Sequence, residues 1–308
     1  MGSRLEIHPA SESEKIEAYR NVHEVWGGGL SLAAHVERRL ASIQHNRARW
    51  FVGCLDNRVV TSLGCFPIQF RLYGQIEPGI ALGAVHTLPQ HRGRGFAPQL
   101  IRWVEEHERA RGAALSLLYS DIDPGYYAKL GYQRCAAWER WTAVPPAGLE
   151  GRTLTRIEPQ HHRSTIVELY DQFHSQLPLS IARDGEYWDY LFAKGASNQF
   201  YLLENRDGDR IGYAWLRREP NRLTICDWAV DSDADEHTLF QAILCTASVC
   251  RAKMAGGWLP DRAATRAVFG QPELRKREIT MVKSLHGGLH VCQTCLAAAQ
   301  HFREIDHV

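Results

Sequence analysis

The residues of this chain best suited to bind a charged ligand are Arg92, Gly93, Arg94, Gly95, Phe96 and Ala97. They connect an apolar, strand-like run over 80–85 to a helix expected over 98–111. A strand-to-helix turn of this kind leaves several backbone N–H groups unpaired and aimed one way, at the positive end of a helix dipole. Glycine lets a ligand come close to the backbone, and Arg92 and Arg94 add charge. The chemistry suits a phosphate or pyrophosphate. The loop is not a nucleotide P-loop, because Gly-x-x-x-x-Gly-Lys-Ser/Thr is absent, and it lacks the dinucleotide pattern Gly-x-Gly-x-x-Gly.

A second element follows about thirty residues on, in Tyr127-Ala128-Lys129-Leu130-Gly131-Tyr132. Written Arg92-x-x-Gly95-x-Ala97, the loop resembles the acyl-CoA pyrophosphate loop of the GNAT superfamily of N-acetyltransferases. Gln90-x-x-Gly93-x-Gly95 fits the same pattern two residues earlier, and the lead-in Thr87-x-Pro89-x-x-Arg92-Gly93 favours the later register. The Tyr127–Tyr132 motif resembles the short helix that follows the next strand in that family, and the two motifs occur in the family's order.

The resemblance implies acetyl-CoA as co-substrate and a primary amine, on a small molecule or a lysine, as acceptor. It assigns the pantetheine arm and thioester to the backbone of Val85, His86 and Thr87. Tyr127 matches the family's general acid; a buried aromatic anchoring the short helix is the plain structural reading. Three candidates stand for the base. His86 lies beside the thioester position and has an ordinary pKa of ~6.5, though it could instead point into the sheet's far layer. Glu24 is a substrate-side alternative, and some family members use only water. Asp184, Glu186 and Asp189 could line an interdomain cleft for a cationic amine, or form a solvated charged face. A non-catalytic acyl-CoA sensor or scaffold is the competing functional class.

The elements that must position these residues read as α/β. Ser11 and Glu14 form a capping-box pattern, after which Ile16, Tyr19, Val22 and Trp26 recur at helical spacing. A second helix is expected through Leu32, Val36, Leu40 and Ile43. Two β-rich runs, 50–55 and 59–66, flank the hairpin signal Asp56-Asn57-Arg58. Strand 80–85, helix 98–111, strand 114–120, the short Tyr127 helix and a closing β-rich segment over 132–144 complete the first half. Residues 145–151 read as a linker.

The order then repeats: a strand (153–157), helices (161–176 and 185–194), a hairpin (200–204 and 210–216), a strand (223–230) and a long helix (236–253). The predicted fold is two tandem GNAT-like domains, 1–147 and 152–308, each a mixed, mostly antiparallel sheet flanked by helices. The second is expected to be degenerate. At the place of its glycine-rich turn stand Asp231, Asp233, Asp235 and Glu236, which would repel a pyrophosphate and suit a helix N-terminus instead.

This tandem arrangement resembles the enhanced-intracellular-survival acetyltransferases, helped by Arg183-x-x-x-Tyr187-Trp188 and by Met281-Val282-Lys283. Those relatives often carry a sterol-carrier-like C-terminal domain, for which the residues after Leu285 are too few. Mycothiol synthase is another tandem protein of the superfamily, with a weaker motif fit.

The 308 residues carry 36 basic and 35 acidic side chains, for a net charge of +1. That balance argues against a dedicated nucleic-acid or membrane-surface protein. No apolar run is long enough to span a bilayer and no signal-peptide core is present, so a cytoplasmic chain is expected, with a homo-oligomer compatible. The eight cysteines are expected to be mostly buried thiols. Cys292-x-x-Cys295, even with His290 or His301, lacks a second Cys-x-x-Cys pair and is expected to be metal-free. No metal is expected elsewhere.

Overall fold

In the computed structural model, residues 4–145 and 154–308 are described. Most of the expected linker, 146–151, lies outside them.

The first half runs β1 (Glu6–Pro9), α1 (Glu12–Asn21), α2 (His23–Trp26), α3 (Leu32–Leu40), α4 (Ile43–Arg47), β2 (Arg49–Leu55), β3 (Arg58–Leu72) and β4 (Gln75–Thr87). It continues with α5 (Phe96–Ala110), β5 (Leu115–Ser120), α6 (Pro124–Ala128), β6 (Gln133–Arg134) and β7 (Trp138–Ala143). The second half runs β8 (Thr155–Ile157), α7 (Arg163–Ser175), β9 (Leu179–Ala182), α8 (Gly185–Lys194), β10 (Gln199–Glu204), β11 (Arg210–Glu219) and β12 (Arg222–Val230). It ends with α9 (Asp233–Val249), β13 (Met254–Gly257), α10 (Ala263–Phe269), β14 (Glu273–Leu274), β15 (Ile279–Ser284) and α11 (Gln293–Ala298).

Local chemistry accounts for several boundaries. Ser11 accepts from the Glu14 N–H while the Glu14 side chain reaches back to the Ser11 N–H, so α1 opens on a full capping box. The β2–β3 turn places Asp56 and Asn57 at φ of 49° and 63°, the left-handed pair a two-residue hairpin requires. The first expected helix divides at Val22, and the second divides where Ser42 caps α4. Helix α9 starts earlier than expected, at Asp233, and ends at Val249, just before Arg251 turns to a φ of 58°.

Two sheets result. The first has the order β1-β2-β3-β4-β5-β15-β6, with β9 paired to the far stretch of β3. The second has the order β14-β7-β13-β12-β11-β10-β8. Each is antiparallel except for one parallel pair, β4–β5 and β12–β13, whose strands are joined by α5 and α9 respectively. The series β2-β3-β4-α5-β5 is therefore repeated as β10-β11-β12-α9-β13.

The halves also exchange strands, which the sequence order did not suggest. The segment over 132–144 does not close the first sheet as one strand. Its first part, β6, stays there, while β7 crosses to pair with β13 of the second sheet. In return β15 comes back from the second half and pairs with β5, from Ile279↔Ser120 to Ser284↔Leu115. One large apolar cluster joins Phe70, Leu115 and Leu117 of the first sheet to Trp188, Trp215 and Trp228. Arg183 is fully buried and donates to Asp227 (2.6 Å) and Asp306 (3.1 and 2.7 Å), which fastens the last residues of the chain into the body.

Candidate active site

Pairing of β4 with β5 stops at Leu82↔Leu118, although β4 runs on to Thr87. Residues 83–87 thus leave an open strand edge beside β5. On the β3 side, Ala84 and Val85 together oppose the single residue Leu63, between the pairs Gly64↔Gly83 and Ser62↔His86. This bulge, with Ala84 at a φ of 50°, turns the end of the strand. The Thr61 hydroxyl holds it by donating to the His86 carbonyl (2.8 Å), and the Thr87 hydroxyl lies 2.9 Å from that of Thr61.

The loop follows at once. Gly93 and Gly95 sit at φ of 75° and 77°, a conformation that excludes most side chains. A Cβ added at either would meet no backbone, so the glycines answer to backbone conformation and to access rather than to packing. Among the described residues the amides of Gly93, Arg94, Gly95, Phe96 and Ala97 find no backbone acceptor, and they cluster at the start of α5. Phe96 is buried against Leu55 and Val60, which anchors that helix end. Arg92 is exposed and donates from Nε to the Thr87 carbonyl (3.1 Å); Arg94 donates to His91 (3.1 Å) and lies over the Phe96 ring. Unpaired amides, a helix dipole and two exposed guanidinium groups fit a pyrophosphate.

Tyr127 is buried at the first turn of α6, which starts with Pro124 after Asp123 caps the Gly125 N–H. Its ring meets Tyr126 and Tyr132 edge-on. Tyr132 is the plain anchor of this trio, its hydroxyl 2.6 Å from the Ser116 hydroxyl in the interior. Among the described residues the Tyr127 hydroxyl makes no hydrogen bond. Burial pushes its phenol up to about 12, helped by neighbouring Tyr126 and Asp121, so the proton stays on at neutral pH.

His86 is buried on the other side of β4. Val85 packs against the apolar cluster that holds Tyr127 and Leu100 and Ile101 of α5, whereas the His86 ring meets Trp26 of α2 edge-on at 6.3 Å. Burial, and then the charge of Arg92, lowers the His86 pKa, with Glu24 opposing; the imidazole is therefore neutral at pH 7. His86 and Tyr127 share no hydrogen bond or ring contact and stand on opposite sides of the bulged strand.

Two of the three carboxylates considered for an acceptor have other partners. Asp184 caps α8 through the Tyr187 N–H (2.7 Å), and Asp189 pairs with Arg163. Asp184 and Glu186 line a cleft of about 300 Å³ with Arg47, Arg49 and Arg111, at the opposite end of β4 from the loop. Glu108 lines it too and pairs with Arg49 and Arg111, so three arginines stand against three carboxylates and the charge of the cleft does not by itself select a cationic amine.

A different cavity, of about 290 Å³, lies near the C-terminal end of β5 and includes Lys194, Glu278, Glu304 and His307 in its lining. The Glu278 N–H donates to Asp121, which follows β5, and the His307 ring packs on Tyr119. Val308 reaches the bulge itself: a Cβ built on Gly83 would lie 3.4 Å from the Val308 carbonyl oxygen. Trp26, Thr61 and this C-terminal segment are site neighbours that the sequence reading missed. Only Trp26 gave a signal, as an aromatic beside the Gly27-Gly28-Gly29 break.

At the matching junction of the second half, Ser232 stands at the N-cap position of α9 with its hydroxyl donating to Asp235, and carboxylates take the place of the glycine loop. Asp233 and Glu236 pair with Arg262, and Asp231 accepts from Gln172. Among the described residues, the one group of His, Cys and carboxylate atoms close enough to share an ion is His8, Glu14 and Cys54.

Residues 6–135 match the family model described as "Acetyltransferase (GNAT) domain". These residues form a GNAT acetyltransferase domain. The match includes the loop and Tyr127. The chain is similar to the N-acetyltransferase Eis of Mycobacterium bovis (strain BCG / Pasteur 1173P2), 23% identical over 148 residues, which are 43% of this chain and 37% of that protein. The chain thus matches little more than a third of the length of that relative.

The GNAT likeness in structure extends further. A probable N-acyltransferase from Enterococcus faecalis V583 superposes with a TM-score of 0.72 at 14% identity, covering 92% of this chain and 73% of its own. A tandem GNAT protein from the clavulanic acid biosynthesis pathway superposes with a TM-score of 0.57 at 13% identity, covering 92% of this chain and all of its own. At these identities the likeness establishes the fold: two GNAT-like layers in one chain.

Proposed function

We propose that this chain is an N-acetyltransferase that moves the acetyl group of acetyl-CoA to a primary amine, on a small molecule or a lysine, by direct attack. The loop carries the reading: five unpaired amides and two positive-φ glycines sit directly beyond the open, bulged edge of β4. In this scheme the amides of 93–97, with Arg92 and Arg94, hold the pyrophosphate, and the backbone of Val85, His86 and Thr87 holds the thioester. The amine nitrogen attacks the carbonyl carbon, the C–S bond breaks, and Tyr127 gives its proton to the departing sulfur. His86, kept neutral by burial, accepts the proton that the nitrogen must lose.

The second half shapes the acceptor site and holds no acyl-CoA of its own. Support comes from the carboxylates at 231–236 and from the cavity near the end of β5, much of whose wall comes from the second half.

The test is a turnover screen with acetyl-CoA against polyamines, aminoglycosides, amino acids and lysine peptides, together with CoA binding to loop variants. Gly95→Val and Arg92→Ala are each expected to raise the CoA Kd at least ~tenfold, or ~1.4 kcal/mol. Gly95→Val also strains the helix start, so Arg92→Ala separates ligand contact from folding. Unchanged affinity in both folded variants would sink the reading. Tight CoA binding without turnover on any amine would favour the sensor.

A further inference from the structure

Cys292 and Cys295 are the one sequence motif that the acetyl-transfer reading leaves without a task. They stand at the start of α11, with their sulfur atoms 3.7 Å apart. Cys295 is buried and Cys292 is half-exposed. Between them lies the hydroxyl of Tyr73, 2.8 Å from the Cys292 sulfur and 3.2 Å from that of Cys295. Tyr73 comes from elsewhere in the chain, at the tip of the β3–β4 hairpin, where φ of 48° at Tyr73 and 81° at Gly74 make the tight turn. Its own N–H donates to the Pro178 carbonyl, so the tip is held against the second half.

We propose that Cys292 and Cys295 are a reactive dithiol that closes to an intramolecular disulfide by exchange with a low-molecular-weight disulfide, Cys292 attacking and Cys295 resolving.

The geometry supplies what each step needs. An exposed sulfur can be reached by a small disulfide and a buried one cannot, which sets the order. Once Cys292 has lost its proton, the Tyr73 O–H is the group that donates to the thiolate, while the Cys295 S–H donates to the Tyr73 oxygen. Hydrogen bonds from Tyr73 and from the Cys295 backbone bring the Cys292 thiol down to about 6, whereas burial pushes those of Cys65, Cys135 and Cys226 up to about 12. Exchange is thereby directed to one sulfur.

In the first step the Cys292 thiolate attacks one sulfur of RS–SR, the S–S bond breaks and one RS⁻ leaves. In the second, Cys295 loses its proton and attacks the Cys292 sulfur of the mixed disulfide, expelling the second RS⁻. In sum, two cysteine thiols are oxidised to one disulfide and RS–SR is reduced to two thiols. Each sulfur that enters the bond gives up its proton, so the Cys295 donor to Tyr73 is lost and the hairpin tip loses its charge-assisted partner.

The experiment equilibrates the full chain with reduced and oxidised glutathione, traps free thiols by alkylation and maps the product by mass. Wild type is expected to lose two hydrogens, localised to Cys292 and Cys295. Cys295→Ser is expected to stop at a glutathione adduct on Cys292, and Cys292→Ser to form neither product. The alkylation rate of Cys292 should titrate with a midpoint near pH 6, and Tyr73→Phe should move that midpoint upward; a purely packing role for Tyr73 would leave it in place. The proposal is overturned if oxidised glutathione yields no Cys292–Cys295 disulfide, if the adduct persists in wild type unresolved, or if the purified chain holds stoichiometric zinc on the pair.

Discussion

Burial acts on Tyr127 and His86 in opposite chemical senses, because it disfavours the charged form of each. It keeps the phenol protonated, with its pKa at about 12, and keeps the imidazole unprotonated at neutral pH. The proposed acid thus holds its proton and the proposed base is free of one, on opposite sides of the strand expected to hold the thioester. Tyr127→Phe is predicted to lower kcat by ~10²-fold or more while leaving CoA affinity nearly intact, since a general acid contributes on that scale. Turnover within a few-fold of wild type would make Tyr127 a packing residue. The same assignment fixes a pH profile. The neutral imidazole is lost only as pH falls through its lowered pKa, so kcat/KM should decline on the acid side, below ~6.5. The phenol should add no alkaline limb near neutrality. His86→Gln should abolish the acid limb in whatever activity remains; a limb that persists would point to another base. The motif that singles out Tyr127 was visible because a six-residue pattern is local. What separates it from Tyr132 was not, because that depends on Ser116 lying across the interior from the Tyr132 hydroxyl.

Helices α5 and α9 occupy equivalent places between parallel strands yet start in opposite ways. The first follows a left-handed glycine and unpaired amides; the second carries Asp233, Asp235 and Glu236 in its first turn. The protein's own carboxylates satisfy the positive end of α9, whereas that of α5 stays open, as the proposed pyrophosphate site requires. Calorimetry with CoA is therefore expected to give one site per chain, lost when the 92–97 loop is disabled; two equivalent sites would show that the second half is not degenerate in binding. This contrast was readable from sequence, since charge and glycine at a helix start act over a few residues. Strand extent was harder. Val59 to Phe66 was the visible part of β3, which runs on to Leu72 because β9 covers its far end. The extension does alternate, with Ile68, Phe70 and Leu72 buried and Gln69 and Arg71 part-exposed, but Pro67 interrupts the β-rich run ahead of it.

At the scale of the whole molecule, the exchanged strands make the two halves parts of one folding unit. Without residues from 152 onward, β5 would lose β15 and expose a long central edge, while β7 would have no sheet to join. Neither consequence could be read from the sequence, because the 132–144 segment looks like an ordinary closing strand of its own half and pairing partners are set by the assembled core. The tail is fastened within the second half by a buried ion pair. Asp306→Ala would leave the buried Arg183 short of a partner, and breaking a buried pair in this way costs ~3–5 kcal/mol, measurable as a lower urea midpoint with little change in slope. A more decisive test is to divide the chain. A fragment of residues 1–147 expressed alone is predicted to aggregate or to unfold without a cooperative transition, even though it contains the whole 6–135 acetyltransferase match. Co-expressed with 152–308, it should be recovered as a soluble complex, because β7 and β15 then find their sheets, and CoA binding should return with it. If 1–147 alone melts cooperatively and binds CoA as tightly as the full chain, the strand exchange is dispensable and the first half is an autonomous domain.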